Sequence, residues 1–202
     1  MNSRTIARTA IERKGAIQKI TEFSPLISLL KKRKLRTIVE IGTAGGGTLY
    51  AWCRIAQPDA LLVSIDLPGG PFGGGYPRSD IKKFRRYKKK AQRMYLLRED
   101  SHKTATQEKV KKILRDRSID LLFLDGDHRY SGVKKDFRMY SPLVKKGGLV
   151  VLHDILFHPR VRACRVDRFW NEMKCCFRRR EFIDREDDRG WGQWGGIGVL
   201  YL

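Results

Sequence analysis

Five short runs of this chain are apolar at nearly every position, and a segment with helical spacing follows each one. The runs are Thr37–Ile41, 61–66, 94–98, 119–125 and 148–153, with helical patterns at 49–56, 81–92, 104–115, 133–140 and 161–173. A strand with apolar residues on both faces has to be covered on both faces. Alternation with helices therefore predicts an α/β fold, a mostly parallel sheet with helices on either side. The pattern changes at the end. Segments 181–184 and 196–201 flank a polar, glycine-rich connection without helical spacing, which predicts an antiparallel pair closing the sheet. Before the first strand, 5–34 reads as helical through Ile6, Ile11, Ile17 and Ile20, then Leu26, Ile27, Leu29 and Leu30. A second helix is expected to start at Pro25 with Ser24 as its N-cap. The chain thus divides into an N-terminal helical extension, 1–35, and a main domain, 36–202.

Composition narrows the function class. The chain has 202 residues, 41% hydrophobic and 10% aromatic, enough for one sizeable core and too apolar for a disordered basic tail. No apolar run approaches the ~18–20 residues of a membrane span, and Met1 to Lys19 has no apolar signal-peptide core. Cys53, Cys164, Cys175 and Cys176 have neither CxxC nor zinc spacing and read as reduced thiols of a cytoplasmic protein. With 43 Lys+Arg against 22 Asp+Glu the net charge is +21, which points to anionic partners.

Ligands of an open parallel sheet bind beyond the carboxyl ends of its strands. After the first strand comes Glu40-Ile-Gly42-Thr43-Ala44-Gly45-Gly46-Gly47-Thr48. Gly42 permits a tight turn, and Gly46 or Gly47 lets backbone approach a ligand. Glu40 would repel a dinucleotide pyrophosphate but suits a cationic tail such as that of S-adenosylmethionine. No Gly-Lys-Ser/Thr follows, which disfavours a nucleoside-triphosphate loop. Asp66 ends the second strand, where an acid accepts ribose hydroxyls. Asp100-Ser101 follows the third strand, at an adenine-binding turn or as a helix cap. The glycine-rich stretch 68–76 is a lid, a cradle or a plain connection. The loops after strands four and five carry Asp125-Gly-Asp127-His128 and His153-Asp154. Asp125, His153 and Asp154 converge in such a sheet and suit a divalent cation, while His128 suits a general base. Asp127 and His128 also read as a helix cap. His102 and His158 read as surface residues.

These segments resemble a known family. VEIGTAGGGT (39–48), SIDLPGGPFGGGY (64–76), DLLFLDGDHRYSGVKKDF (120–137), GGLVVLHD (147–154) and GGIGVLYL (195–202) are similar to class I S-adenosylmethionine-dependent methyltransferases. The pattern resembles the cephalosporin-hydroxylase-like, methyltransferase-24 type group, related to catechol O-methyltransferase. The resemblance implies a Rossmann-like seven-stranded sheet in order 3-2-1-4-5-7-6 with strand seven antiparallel. It implies S-adenosylmethionine held by Glu40, Gly42, Thr43, Ala44, Gly46 and Thr48 at its methionyl part, by Asp66 and Leu67 at the ribose, and by Asp100 and Ser101 at the adenine, with Asp125 adjoining. It implies magnesium or another divalent metal at Asp125, His153 and Asp154, and catalysis by Asp125 and His128. His153 stands where relatives carry an acid or amide, and His128 where catechol-type relatives carry a lysine.

The expectation is O-methylation of a small-molecule or sugar-like hydroxyl. Two alternatives remain open, a nucleic-acid methyltransferase and a non-catalytic basic binding module. For the former, 78–98 carries Lys82, Lys83, Arg85, Arg86, Lys88, Lys89, Lys90 and Arg93 interleaved with Phe84, Tyr87 and Tyr95, a stripe able to follow phosphates and stack on bases. Acceptor selection is expected from the N-terminal helices, the 68–76 loop and the region from Trp170 to Trp194, including Trp191.

Overall fold

The computed structural model describes residues 1–184, 186 and 193–202. Strands β1 (Thr37–Ile41), β2 (Leu61–Ile65), β3 (Arg93–Leu97), β4 (Ile119–Leu124), β5 (Val144–His153), β6 (Arg178–Phe182) and β7 (Ile197–Tyr201) form one seven-stranded sheet. Their order is β3-β2-β1-β4-β5-β7-β6, as the family resemblance implied. β1 to β5 pair in parallel, and β7 runs antiparallel between β5 and β6.

Helices α1 (Ser3–Lys14), α2 (Ile20–Lys31), α3 (Gly47–Ile55) and α4 (Asp80–Arg85) contribute to the apolar cluster on one face. Helices α5 (Thr104–Leu114), α6 (Tyr130–Tyr140) and α7 (Val166–Met173) contribute to the cluster on the other. The continuous apolar runs exist for this reason. Along β4, Leu121 and Phe123 enter the first cluster while Leu122 and Leu124 enter the second. The leading helices belong to the core, since Phe23, Leu26, Ile27 and Leu30 of α2 are fully buried.

Several boundaries differ from expectation. α2 does not begin at Pro25 with Ser24 as cap. It starts at Ile20 after Lys19 and runs through the proline, with the amides of Glu22 and Phe23 bonding the Lys19 carbonyl. Burial of Phe23 together with Leu26, Ile27 and Leu30 outweighs the one backbone bond that Pro25 cannot donate. α4 stops at Arg85 rather than near residue 92. Gln92 holds the turn beyond it, receiving the Lys89 amide at 2.8 Å and donating to the carbonyls of Cys53 and Gln57 at 3.1 and 3.0 Å. α7 begins at Val166, not 161, because the His158 ring accepts the Arg160 and Val161 amides and turns the chain first. No helix among the described residues is long and apolar enough to cross a membrane.

Leu26→Ala, which empties a fully buried position, is expected to destabilise the chain by about 2–5 kcal/mol. Chemical denaturation measures this, and a loss under about 1 kcal/mol would show that α2 is only loosely attached.

Candidate active site

Backbone bonds just past the strands fix the carboxyl edge of the sheet. The Gly42 amide bonds the Ile65 carbonyl at 2.9 Å, Asp125 bonds Ile41 at 2.8 Å, and Asp66 bonds Leu97 at 2.9 Å. Gly42 has φ +92°, and a Cβ there would lie 2.0 Å from the Asp125 carbonyl oxygen, so only glycine fits. The later glycines serve a purpose that the sequence did not suggest. A Cβ on Gly46 would meet the Phe84 ring at 2.4 Å, and one on Gly47 the Ala16 backbone at 2.3 Å. Both admit other parts of the chain; Gly47 also lines the cavity, whereas Gly46 does not.

Beyond this edge lies a cavity of about 480 Å³, next to a second of about 120 Å³ with which it shares walls at Gly42, Asp66, Pro71, Phe72, Gly74 and Gly126. Thr43, Ala44 and Thr48 line the larger, while Leu67, Asp100 and Ser101 line the smaller. Asp66 receives the amides of Thr43 and Ala44 at 2.9 and 2.7 Å, which fixes the glycine turn. Asp100 caps the His102 amide at 2.8 Å. Ser101 donates to Asp136 of α6 at 2.7 Å, and the His102 ring lies 3.3 Å from the same carboxylate. His102 is thus half-buried and paired rather than a free surface residue.

Glu40 lies one layer beneath the wall. Its Oε1 accepts from Thr48 and from the Trp52 indole at 3.1 Å, and its Oε2 is buried without a partner. Burial pushes its carboxyl pKa up to about 8.

Asp125, His128, His153 and Asp154 do converge on the larger cavity. His153 Nδ1 is 3.1 Å from Asp125 Oδ1 and 3.5 Å from Asp154 Oδ1. His128 Nδ1 is 2.7 Å from Asp154 Oδ2, and its Nε2 is 4.0 Å from Asp125 Oδ1. Asp154 adopts φ +59°, a conformation uncommon outside glycine but tolerated by aspartate, at the point where β5 ends. Burial opposes a charge on His128. The hydrogen bonds to Asp154 and Cys164 and the two nearby carboxylates outweigh it and push the pKa up to about 10. Burial opposes a charge on His153 too, and the same carboxylates raise it well above the usual value. Burial disfavours the Asp154 carboxylate, but the two imidazoles hold its pKa far below the ordinary range. Asp127 stays out of this cluster; at the start of α6 its Oδ1 accepts the Arg129 amide at 3.0 Å and its carboxylate pairs with the Arg129 guanidinium, while the His128 ring turns to Asp154 instead.

Gln18, Phe72 and His158 also reach the site; none stood out individually in the sequence, although the 68–76 loop did. Gln18, from the loop between α1 and α2, donates to Asp125 Oδ2 at 2.8 Å. The Phe72 ring lies 4.9 Å from that of His128, so the 68–76 loop reaches the cluster. His158, expected at the surface, is buried; it lines the cavity 6.2 Å from Trp194. Trp170 does not line the cavity but packs against Gly198 in the core and bonds Glu181 at 2.6 Å, whereas Trp194 does line it. Trp191 lies outside the described residues. In the basic stripe, Phe84 and Tyr87 are buried against Tyr76 and Tyr50, so these rings cannot stack on bases.

A sheet in this order with β7 reversed, carrying a glycine turn after β1 and an acid after β2, is the architecture of class I S-adenosylmethionine-dependent methyltransferases. The chain belongs to the family described as Methyltransferase domain, of the methyltransferase-24 type, whose profile matches residues 39–155. Among curated proteins, it is 28% identical over 141 residues to the uncharacterised protein y4gI of Sinorhizobium fredii, covering 68% of this chain and 15% of that protein. It is 53% identical over 36 residues to the uncharacterised protein R132 of Acanthamoeba polyphaga mimivirus, covering 18% of this chain and 16% of that one. The matches thus span only a small part of either relative. Two solved structures share the fold. The O-methyltransferase TomG of Streptomyces achromogenes, in complex with S-adenosylmethionine, has TM-score 0.63 at 18% identity over 100% of this chain and 90% of its own. An O-methyltransferase of Bacillus cereus in complex with S-adenosylhomocysteine has TM-score 0.61 at 13% identity over 99% and 90%.

Glu40 gives a pH signature. An acid whose folded pKa is raised from 4.5 to about 8 keeps its proton in the folded state where the unfolded chain releases it. Its contribution to stability therefore falls as pH rises through that window. Glu40→Gln should flatten this part of the slope, and melting the ligand-free protein and the variant from pH 5 to 9 checks it. Parallel profiles would show that Glu40 ionises normally.

Proposed function

We propose that this chain transfers a methyl group from S-adenosylmethionine to a hydroxyl of a small-molecule or sugar-like acceptor, with a divalent metal assisting. The convergence of Asp125, His128, His153 and Asp154 on a cavity that shares the Asp66 wall with the pocket of Leu67, Asp100 and Ser101 carries this reading. The O-methyltransferases that share the fold support the reaction type.

The residues present fit the cofactor. Two adjacent cavities with Asp66 in their shared wall suit an elongated molecule with a sugar in its middle. Asp66 would hold the ribose beside Leu67, and Asp100 and Ser101 the adenine end. Gly42, Thr43, Ala44 and Thr48 would face the methionyl part, with Glu40 beneath them. Gly46 would act only indirectly, by letting Phe84 pack under the turn. The cofactor supplies an electrophilic methyl on a sulfonium centre.

The donor set also fits a cation. Asp125, His153 and Asp154 each offer an atom within 4.8 Å of the others. Two carboxylates suit magnesium, and the imidazole widens the choice to manganese and later first-row ions. A metal there would act as a Lewis acid on the acceptor hydroxyl and offset the carboxylate charges that keep His128 protonated.

The chain's own contribution is alignment and proton handling. Asp154 orients His128 through Nδ1, which leaves Nε2 to take the acceptor proton. Gln18 holds Asp125 in place. Phe72 covers His128 and limits water at the reacting oxygen. Holding acceptor and methyl in line accounts for most of the acceleration expected of such a site.

Asp66→Ala should weaken S-adenosylmethionine binding by about 1.5–3 kcal/mol, roughly ten- to a hundredfold in Kd by calorimetry. Unchanged affinity would remove the ribose assignment. A labelled-methyl screen over hydroxylated acceptors and RNA, with and without divalent metal, tests the reaction. Transfer to hydroxyls that magnesium or manganese stimulates, lost in Asp125→Ala and Asp154→Ala, is the expected result. Full turnover in chelator would remove the metal, and transfer to RNA alone would replace the acceptor class.

A further inference from the structure

Asp154 faces two groups of side chains. Its Oδ1 looks toward His153 and Asp125, while its Oδ2 meets His128 at 2.7 Å. On that second side stands Cys164, 2% exposed. His128, Asp154 and Cys164 present a nitrogen, an oxygen and a sulfur that all lie within 4.8 Å of one another. All three also line the 480 Å³ cavity, so an ion can reach them from solvent. Their placement is built into the backbone. The Arg165 amide bonds the His128 carbonyl at 2.7 Å, and the Cys164 amide bonds Val161 at 2.8 Å. These bonds dock the 161–165 turn onto the loop that carries His128.

We infer that His128, Asp154 and Cys164 form a second cation site that takes a borderline-soft divalent ion, zinc, in preference to magnesium. Magnesium binds oxygen donors and holds its waters, whereas a thiolate with an imidazole and a carboxylate suits zinc. Three protein ligands leave the fourth tetrahedral position to water from the cavity. Binding forms the zinc–sulfur bond and releases the Cys164 proton to solvent. The consequence rests on the function proposed above. Zinc here occupies His128, the base, and takes up the Asp154 oxygen that orients it, so it inhibits transfer supported by magnesium. Sensitivity to zinc is then a property of this chain's Cys164.

The test separates binding from turnover. A Cys175→Ser/Cys176→Ser variant removes the two exposed thiols and leaves Cys164 and the core thiol Cys53. Titration with Co²⁺, a spectroscopic substitute for zinc, should produce a near-ultraviolet thiolate-to-cobalt absorption. Adding Cys164→Ser should abolish that absorption and weaken zinc binding by at least roughly ten- to a hundredfold. Absence of the band in the Cys175→Ser/Cys176→Ser variant, or its survival in Cys164→Ser, overturns the site. Zinc inhibition of methyl transfer equal in the two backgrounds overturns the inhibitory role. Failure of the methyltransferase reading would appear separately, as no S-adenosylmethionine binding, with the cobalt band untouched.

Discussion

The backbone contact between Gly42 and Asp125 holds the rest of the site in place. A side chain at position 42 would sit inside the Asp125 carbonyl, so β1 and β4 can end level only if that residue is glycine. Once they do, the amides of Gly42, Asp66 and Asp125 extend the sheet by one bond beyond each strand. Asp66, Asp125 and the glycine turn then meet at one edge, with Asp154 beside them. The turn is tightened from below by Phe84 against Gly46 and from outside by Ala16 against Gly47. The leading helices therefore help shape the cavity as well as cover the core.

Electrostatics at this edge run against those of the whole chain. The net charge is +21, yet the cavity gathers Asp66, Asp100, Asp125 and Asp154. Two imidazoles among these carboxylates balance them, which is why both histidines are pushed toward the charged form. The positive excess lies mostly elsewhere. Part of it rests on aromatic faces, as with Arg33 and Arg178 on Tyr201 and Lys14 on Tyr87. With Phe84 and Tyr87 in the core, the basic stripe lacks most of the stacking surface that nucleic-acid binding would need.

The fold was legible because its signal is local and repeated. Each fully covered strand needs apolar residues on both faces, and the Gly42 turn and the acids at strand ends recur at fixed places in the order of elements. Asp66, Asp125 and Asp154 stood out for that reason. Gln18, His158 and Cys164 did not, because each reaches the site from a loop whose path depends on packing, and Phe72 was marked only through its glycine-rich loop. His158 shows the difference. As one polar residue in a basic stretch it looks like surface, and it is buried because its ring accepts two backbone amides and faces Trp194.

The sequence by itself determined the class of protein, the sheet and the acids at its carboxyl edge, since apolar periodicity and turn chemistry are properties of neighbouring residues. Only the tertiary structure decided that α2 runs through Pro25, that Gly46 and Gly47 accommodate the protein's own packing, and that Asp154 stands between His153 on one side and His128 with Cys164 on the other. Those outcomes depend on which segments come within a few ångströms after the chain has closed on itself. No spacing along the chain encodes that proximity.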